Sequence, residues 1–253
     1  MSFFFFLLFL IVIKCQTKED SSINNSRNLQ TTSYQNIKLY VDTDCLGGIN
    51  SNIDIKTGIE RAKKTIEKLI MIPTSSGSID LRNYNSHIPD GFACSNSLTN
   101  GYTVPGDLAI FVKISDNKDI GFGKPTILNR TANGERPYIA TIAYNDMLDT
   151  IRSIDNSTHK IEAISLIFLH EFTHILGFTK EILQAKNLIK TVSTHYRMNT
   201  LPQNRLYATG TNVVNRAKAY FNCQNLTGVE LDDDSGDEHM LHWSARILLG
   251  DYL

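Results

Sequence analysis

The chain lacks the features that mark several large classes of protein. It has 253 residues, of which 20% are charged, and its net charge is -1. It has no cluster of Lys and Arg that would give an electrostatic footprint for nucleic acid, so we expect no nucleic-acid partner. Cysteine is scarce, with four residues and no CxxC spacing, which argues against zinc ligation by cysteine. After Ile13 no apolar run approaches the roughly 20 residues of a membrane-spanning helix, so we expect no stable membrane insertion of the mature chain.

The N-terminus carries the longest apolar run. Phe3 to Ile13 is an unbroken apolar stretch, followed by Lys14, Cys15 and a polar segment. The run is too short to cross a bilayer, and it therefore predicts a signal peptide at residues 1–15, a polar segment at 16–35 and a secreted or cell-surface protein. Four glycosylation sequons agree with a secretory route, at Asn24, Asn129, Asn156 and Asn225.

Cysteine pairing follows from the predicted cleavage. Loss of Cys15 with the signal peptide would leave Cys45, Cys94 and Cys223, an odd number in an oxidising compartment. Our hypothesis is a Cys45–Cys94 bridge, with Cys223 free or paired outside this chain.

Hydrophobic periodicity predicts the order strand, helix, strand, strand, helix in residues 36–177. The composition, 42% hydrophobic, is that of an ordinary globular chain with a core. The first four elements are expected at Ile37–Val41, around Ile59–Leu69, at Leu108–Ile114 and at Tyr138–Tyr144. Such an order favours a mixed sheet with helices packed on it.

Other segments are predicted to be irregular. Thr74–Gly106 is expected to be a loop, and Gly121–Pro125, GFGKP, a turn because it lacks the spacing of a phosphate loop. Turn chemistry is also expected at Asn133, Gly134 and Pro137. Further on, the patterns predict helices at Lys180–Val192 and Val213–Tyr220 and a solvated acidic loop at Glu230–Glu238.

The most informative stretch is HEFTHILGF, from His170 to Phe178, at the end of a predicted helix. That helix is expected over Ile161–Gly177, with Thr158 as its N-cap and Gly177 as its stop. An apolar stripe would face the core, formed by Ile164, Phe168, Phe172 and Ile175.

The spacing of the two histidines has a chemical use. Residues i and i+4 share a helical face, so His170 and His174 can aim their imidazoles at one cation. Glu171 would then lie beside the metal, where it can take a proton from water that the metal activates. This pattern is typical of zinc metalloproteases.

A catalytic zinc needs a third protein ligand. The spacing HExxHxxGxxH would place a histidine at position 180, where this chain has Lys180. Five other histidines are available, at His87, His159, His195, His239 and His242. His239 and His242 are three residues apart, and local sequence alone favours neither; a carboxylate such as Glu181 or Glu230 is a further alternative.

Here the sequence resembles the leishmanolysin family of metzincin proteases. Blocks similar to that family follow one another from Asn36 to the C-terminus: NIKLYVDTDCL, GDLAIFVKI, ERPYIATIAYN, HEFTHILGF, FNCQNLTGVELDD and HWSARILLGDYL. In that family the third histidine lies in a distant HW dipeptide, which corresponds to His242-Trp243. The resemblance therefore implies His170, His174 and His242 as ligands of one Zn²⁺, Glu171 as the catalytic base and Gly177 as the turn below the metal.

The resemblance also implies an α+β fold with a metzincin-like zincin core, built on a mixed twisted sheet and a helix that carries HExxH. Residues 36–177 would form the N-terminal catalytic subdomain, 178–228 an insertion between the second and third ligands, and 229–253 the third-ligand segment. By analogy with the clan, an edge strand near Tyr138–Tyr144 would hold peptide substrates as an added strand.

One departure concerns Leu253, which stands where the family has the methionine of its Met-turn. We expect most of the C-terminal subdomain to be missing beyond it. The function expected is that of a secreted zinc endopeptidase acting on proteins or peptides. The alternative is a secreted zinc-binding glycoprotein, from a truncated or degenerate paralogue, whose catalysis is impaired.

Overall fold

A computed structural model describes residues 33–47, 52–74, 77–82, 92, 94–114, 121–131, 134–144, 151, 153–194, 203–232 and 242–244. They form a mixed α+β structure with several small sheets, which confirms the predicted class. The chain divides into two compact units, one spanning Gln30–Gly177 and the other containing everything from Phe178 onward.

The first unit alternates short strands with two long helices. Its strands are β1 (Tyr34–Asn36), β2 (Leu39–Asp42), β3 (Met71–Pro73), β4 (Ser78–Asp80), β5 (Thr103–Pro105), β6 (Leu108–Ile114), β7 (Gly121–Thr131) and β8 (Gly134–Tyr144). Its helices are α1 (Asn52–Leu69), α2 (Asn96–Thr99) and α3 (Ser157–Ile175), with a 3-10 turn at Asp44–Leu46. The five elements predicted from periodicity are all present, although the first strand begins two residues later than expected.

The main sheet of this unit has the strand order β2-β6-β8-β7. β2, β6 and β8 run parallel, whereas β7 is antiparallel to β8. Two predictions were wrong here. β8 is paired on both sides, so Tyr138–Tyr144 is not an edge strand, and GFGKP lies inside β7 rather than in a turn. An edge strand tolerates Gly and Pro because one row of its backbone groups needs no partner in the sheet.

Gly134 and Pro137 likewise lie inside β8 rather than in a turn, and Asn133 lies outside the described residues. The register between β7 and β8 is irregular from Pro125 to Leu128. A bulge of this kind accommodates a residue without an N–H group in an otherwise regular ladder.

The segment predicted as a loop at Thr74–Gly106 is more ordered than expected. β4 pairs with β5 through the Ile79–Val104 register, and α2 lies between them in sequence. A disulfide joins Cys45 to Cys94, which confirms the predicted bridge, and Cys223 is an exposed thiol outside it. The segment is held in place by the β4–β5 pairing and by the disulfide, both of which join residues far apart in sequence. Local periodicity gives no information about such long-range contacts.

Helices α1 and α3 pack closely against each other, and α3 also contacts β7. At Gly58 on α1 an added Cβ would lie 2.6 Å from Ile164 Cγ2 on α3. Near the start of α3, Ser157 Oγ donates to Asp54 Oδ1 at 2.8 Å. The absence of a side chain at Gly58 therefore sets how closely the two helices approach.

The second unit contains a four-stranded sheet of order β12-β11-β10-β9. Its elements are α4 (Lys180–Ala185), β9 (Ile189–Thr194), β10 (Gln203–Ala208), α5 (Thr211–Phe221), β11 (Val229–Asp232) and β12 (His242–Trp243). The helix predicted at Val213–Tyr220 is confirmed. The one predicted at Lys180–Val192 ends at Ala185, because Asn187 adopts a positive φ of 54° and the chain continues as β9.

The predicted acidic loop begins as a strand, since Glu230–Asp232 belong to β11, and the rest of it lies outside the described residues. Among the residues described, no helix combines the length and apolar character needed to cross a membrane.

Candidate metal centre

The helix that carries HEFTH, α3, begins at Ser157 and is preceded by Asn156. The Asn156 side chain accepts hydrogen bonds from the backbone N–H groups of Thr158, at 2.9 Å, and His159, at 3.2 Å. Asn156 is therefore the N-cap, and the assignment of Thr158 as N-cap was wrong. Both residue types favour this position, but only Asn156 has the extended backbone that precedes the first helical turn.

The predicted apolar stripe of α3 faces the core. Ile164, Phe168, Phe172 and Ile175 are all buried. The ring of Phe168 lies 5.4 Å from that of Tyr144 on β8 and 6.2 Å from that of Phe172. This packing fixes the rotation of the helix about its axis, and with it the direction in which the histidine face points.

His170 and His174 are close neighbours on the last turns of α3. Their Nε2 atoms are 3.1 Å apart, and their ring centroids are 4.7 Å apart with the planes at 81°. A tetrahedral zinc with Zn–N bonds of about 2.0–2.1 Å separates two ligand nitrogens by roughly 3.3 Å. The two rings thus converge as they would on a shared cation. His174 is buried and His170 is half-buried.

Glu171 lies between the two histidines in sequence and is only 4% exposed. A carboxyl group is rarely buried to this extent without a structural or chemical role. Glu171 directly follows His170, the first histidine of the candidate pair, in the sequence.

The end of α3 is fixed by Gly177. This glycine has a φ of 118°, and its N–H donates to the His174 carbonyl at 3.0 Å. A residue with a side chain would be strained in this conformation, so glycine ends the helix directly after the second histidine.

His242 is half-buried and lies on β12, opposite Asp232 on β11. Its neighbour Trp243 is buried, with its ring centroid 5.2 Å from that of Phe178. His170, His174 and His242 form a group that could hold a metal ion, because each offers one ligand atom and these atoms all lie within 4.8 Å of one another.

The rival ligand candidates divide into two sets. His87, His195 and His239 lie outside the described residues, as does Leu253. His159 is exposed in the first turn of α3, about 16 Å along the helix from His170 at 1.5 Å per residue. Glu181 is exposed on α4, and Glu230 is buried in a contact with Ser244. None of the last three belongs to the metal group found among the described residues.

Sequence reasoning missed the burial of Glu230 on β11. It placed this residue in a solvated loop because of the acidic run that follows, whereas its side chain is 4% exposed and accepts a hydrogen bond from Ser244 Oγ. The signal that could have revealed it is the alternation of VELD, in which Glu230 and Asp232 share one face of a strand.

The chain was also compared with known proteins. The leishmanolysin family model matches residues 39–253, which include HEFTH and the HW dipeptide. None of the curated proteins matches the chain.

Proposed function

The chain belongs to the leishmanolysin family of zinc metallopeptidases, and on that premise we propose that it is a secreted zinc endopeptidase of metzincin-like architecture. In this proposal His170, His174 and His242 hold one zinc ion and Glu171 is the general base. The observation that carries it is the three-histidine group, in which every candidate ligand atom lies within 4.8 Å of the others.

The donor set suits zinc. Imidazole nitrogen is a preferred zinc ligand, and three protein ligands leave a fourth position for water or substrate. A structural zinc site has four protein ligands and has no need of a neighbouring base. The combination of three histidines with the buried Glu171 therefore supports a catalytic site.

Glu171 would perform the proton transfers. Zinc, when bound, supplies a Lewis acid that lowers the pKa of water to about 7 and polarises a carbonyl oxygen. The Glu171 carboxylate would accept a proton from the attacking water and return it to the nitrogen of the leaving amine. Because the Glu171 side chain is buried, bulk water would compete little for its carboxylate.

The main sheet offers a place for an extended peptide. In the order β2-β6-β8-β7, β7 lies at an edge, and α3 contacts it. A peptide added along the outer edge of β7 would be held by backbone hydrogen bonds, with little dependence on its side chains. Protein and peptide substrates of the family would bind in this way.

Secretion is supported by the Cys45–Cys94 disulfide. Disulfides persist in oxidising compartments and are rare in the cytosol, so the bridge agrees with the signal peptide predicted at residues 1–15. Intact-mass analysis of the secreted chain would test that cleavage.

The function is tested by hydrolysis of a quenched-peptide pool by the chain expressed through a secretory route. We expect cleavage that a chelator abolishes and that added zinc restores. Glu171→Gln should lower kcat/KM by at least about 100-fold, because general-base catalysis typically contributes 10²–10⁴-fold.

Glu162→Gln is the matched control, since Glu162 is an exposed residue of the same helix. It should cleave like the unmodified chain. A folded, zinc-loaded protein that cleaves no peptide would contradict the proposal and favour a relative with impaired catalysis.

A further inference from the structure

The carboxyl group of Glu230 lies in a row of polar side chains that joins three strands of the second unit. Tyr207 on β10 lies opposite Glu230 on β11. Ser244 directly follows β12, and its Oγ donates to Glu230 Oε1 at 3.0 Å, while Tyr207 Oη donates to Oε2 at 3.4 Å. Each carboxylate oxygen is therefore engaged by a hydroxyl group from a neighbouring strand or its extension.

The backbone reinforces the same contact. The Ser244 N–H donates to the Glu230 carbonyl at 3.1 Å, and the side chains of both residues are buried. Burial of a carboxyl group is costly unless its oxygens accept hydrogen bonds, so the pairing with Ser244 and Tyr207 is specific rather than a solvated surface contact.

The row bears on the third histidine because β12 is very short. It contains only His242 and Trp243, paired with Asp232 and Leu231. Two residues supply few ladder hydrogen bonds, and a strand this short has little intrinsic rigidity. It needs contacts beyond the ladder to hold one orientation.

Those contacts lie on opposite faces of the ladder. Trp243 and Leu231 belong to an apolar cluster on one face. Since side chains alternate along a strand, His242 and Ser244 point to the other face, as Asp232 and Glu230 do on β11. The two residues that follow His242 are therefore anchored on different faces of the sheet. Trp243 packs in the apolar cluster, and Ser244 is hydrogen-bonded to Glu230.

We propose that Glu230 is a positioning residue for the third zinc ligand: by holding Ser244 it fixes β12 and thereby the direction of the His242 imidazole. This inference rests on the proposed function, which makes His242 a ligand. Outer contacts that orient a metal ligand typically contribute about 10- to 100-fold to metal affinity. Glu230 itself stays outside the ligand set, because its oxygens are engaged by Ser244 and Tyr207.

The test measures zinc affinity of the full chain by competition with a chromogenic chelator. Glu230→Leu removes both acceptors at similar volume, and we expect zinc affinity to fall by about tenfold or more. Glu230→Gln keeps a carbonyl oxygen for the Ser244 hydroxyl, and it should recover most of the affinity. Ser244→Ala removes one donor with little change in volume, and it should weaken binding in the same direction.

A matched control is Glu67→Leu in the first unit. The Glu67 carboxylate also makes a structural hydrogen bond, accepting from the Leu39 N–H at 2.8 Å. This variant should lower thermal stability and leave zinc affinity unchanged. The comparison separates a general loss of stability from a specific loss of ligand orientation.

Cobalt substitution supplies a spectroscopic readout. The visible absorption of Co²⁺ reports coordination geometry, and we expect it to be altered in Glu230→Leu and close to the unmodified protein in Glu230→Gln. A folded Glu230→Leu protein with unchanged zinc affinity and cobalt spectrum would overturn the inference. If that variant does not fold, an unchanged affinity and spectrum in Ser244→Ala would overturn it instead.

The two proposals fail in different ways. If the unmodified chain binds no zinc, or if His174→Ala binds it equally well, the proposed metal site is wrong. If zinc binding depends on His174 but not on the Glu230–Ser244 pair, the proposed metal site stands and the positioning role is excluded.

Discussion

Asn156 begins a glycosylation sequon and also caps α3. Its Oδ1 accepts the N–H groups of Thr158 and His159, which satisfies two donors of the first helical turn. A glycan would be attached through Nδ2, which leaves Oδ1 available as an acceptor. The capping role and the sequon can therefore be separated by substitution.

Asn156→Ala should lower the free energy of unfolding by about 1 kcal/mol, because both donors lose their acceptor. Asn156→Asp removes the sequon but keeps an acceptor, and it should unfold close to the unmodified chain. Chemical denaturation of unglycosylated protein measures both values. Thr158→Ala also removes the sequon, and a loss of stability there equal to that of Asn156→Ala would contradict the assignment of the cap.

At the scale of elements, the approach of α1 to α3 depends on Gly58. A Cβ at this position would lie 2.6 Å from Ile164 Cγ2 and 2.9 Å from Ile164 Cβ. Ile164 is fully buried and β-branched, so it has little freedom to move away. Alanine at position 58 would gain about 1 kcal/mol in helix propensity over glycine. The clash of its Cβ with Ile164 opposes this gain.

We expect Gly58→Ala to destabilise the protein by about 1–3 kcal/mol, the usual cost of overpacking. Thr57→Ala on the same helix is the control and should change stability little, because Thr57 is exposed. Ile164→Ala should relieve the clash, so a double-mutant cycle should show positive coupling. Additive effects in that cycle would show that the two residues do not limit the packing.

The Cys45–Cys94 bridge joins the 3-10 turn that follows β2 to the segment before α2, across 49 residues of sequence. Removing the disulfide gives the unfolded chain more conformational entropy. By the loop-closure model, this lowers the free energy of unfolding by about 4 kcal/mol. Cys45→Ala combined with Cys94→Ala should lower the midpoint of urea unfolding accordingly. Cys223→Ala, at the exposed thiol, is the control and should leave it unchanged.

Elements with strong local patterns were predictable, whereas their pairings were not. The apolar stripe of α3 and the spacing of His170 and His174 follow from a helical period, and both are present in the structure. The edge position of β7 depends on which strands it meets, and sequence periodicity carries no such information. Tyr138–Tyr144 was expected at an edge by analogy with the clan, and the strand that covers that edge, β7, had not been predicted from periodicity.

At the scale of the whole molecule, the candidate site combines one local and one distant signal. His170, Glu171 and His174 follow from a single motif, but His242 follows the motif by 68 residues, the difference of its number and that of His174. Local sequence could not separate His242 from His239. Only the resemblance of the HW dipeptide to the family pointed to His242, and no periodicity marks a ligand that lies on a two-residue strand.

Metal binding should therefore be visible in the stability of the entire chain. A ligand that binds only the folded state adds about 2.7 kcal/mol when its free concentration is a hundredfold above Kd. For a chain of this size that corresponds to a rise in Tm of roughly 5 to 10 °C, measured by thermal unfolding with and without buffered zinc.

His174→Ala should abolish this zinc-dependent rise, because the chain loses the buried member of the histidine pair. His159→Ala is the matched control, since His159 lies on the same helix but is exposed at its opposite end, and it should keep the full shift. An equal shift in His174→Ala would mean that zinc is held elsewhere, and the three-histidine group would then lose its role as the metal site. Loss of the shift in His174→Ala, with the shift kept in His159→Ala, would instead show that the zinc-dependent stability of the folded chain requires a ligand of the proposed site.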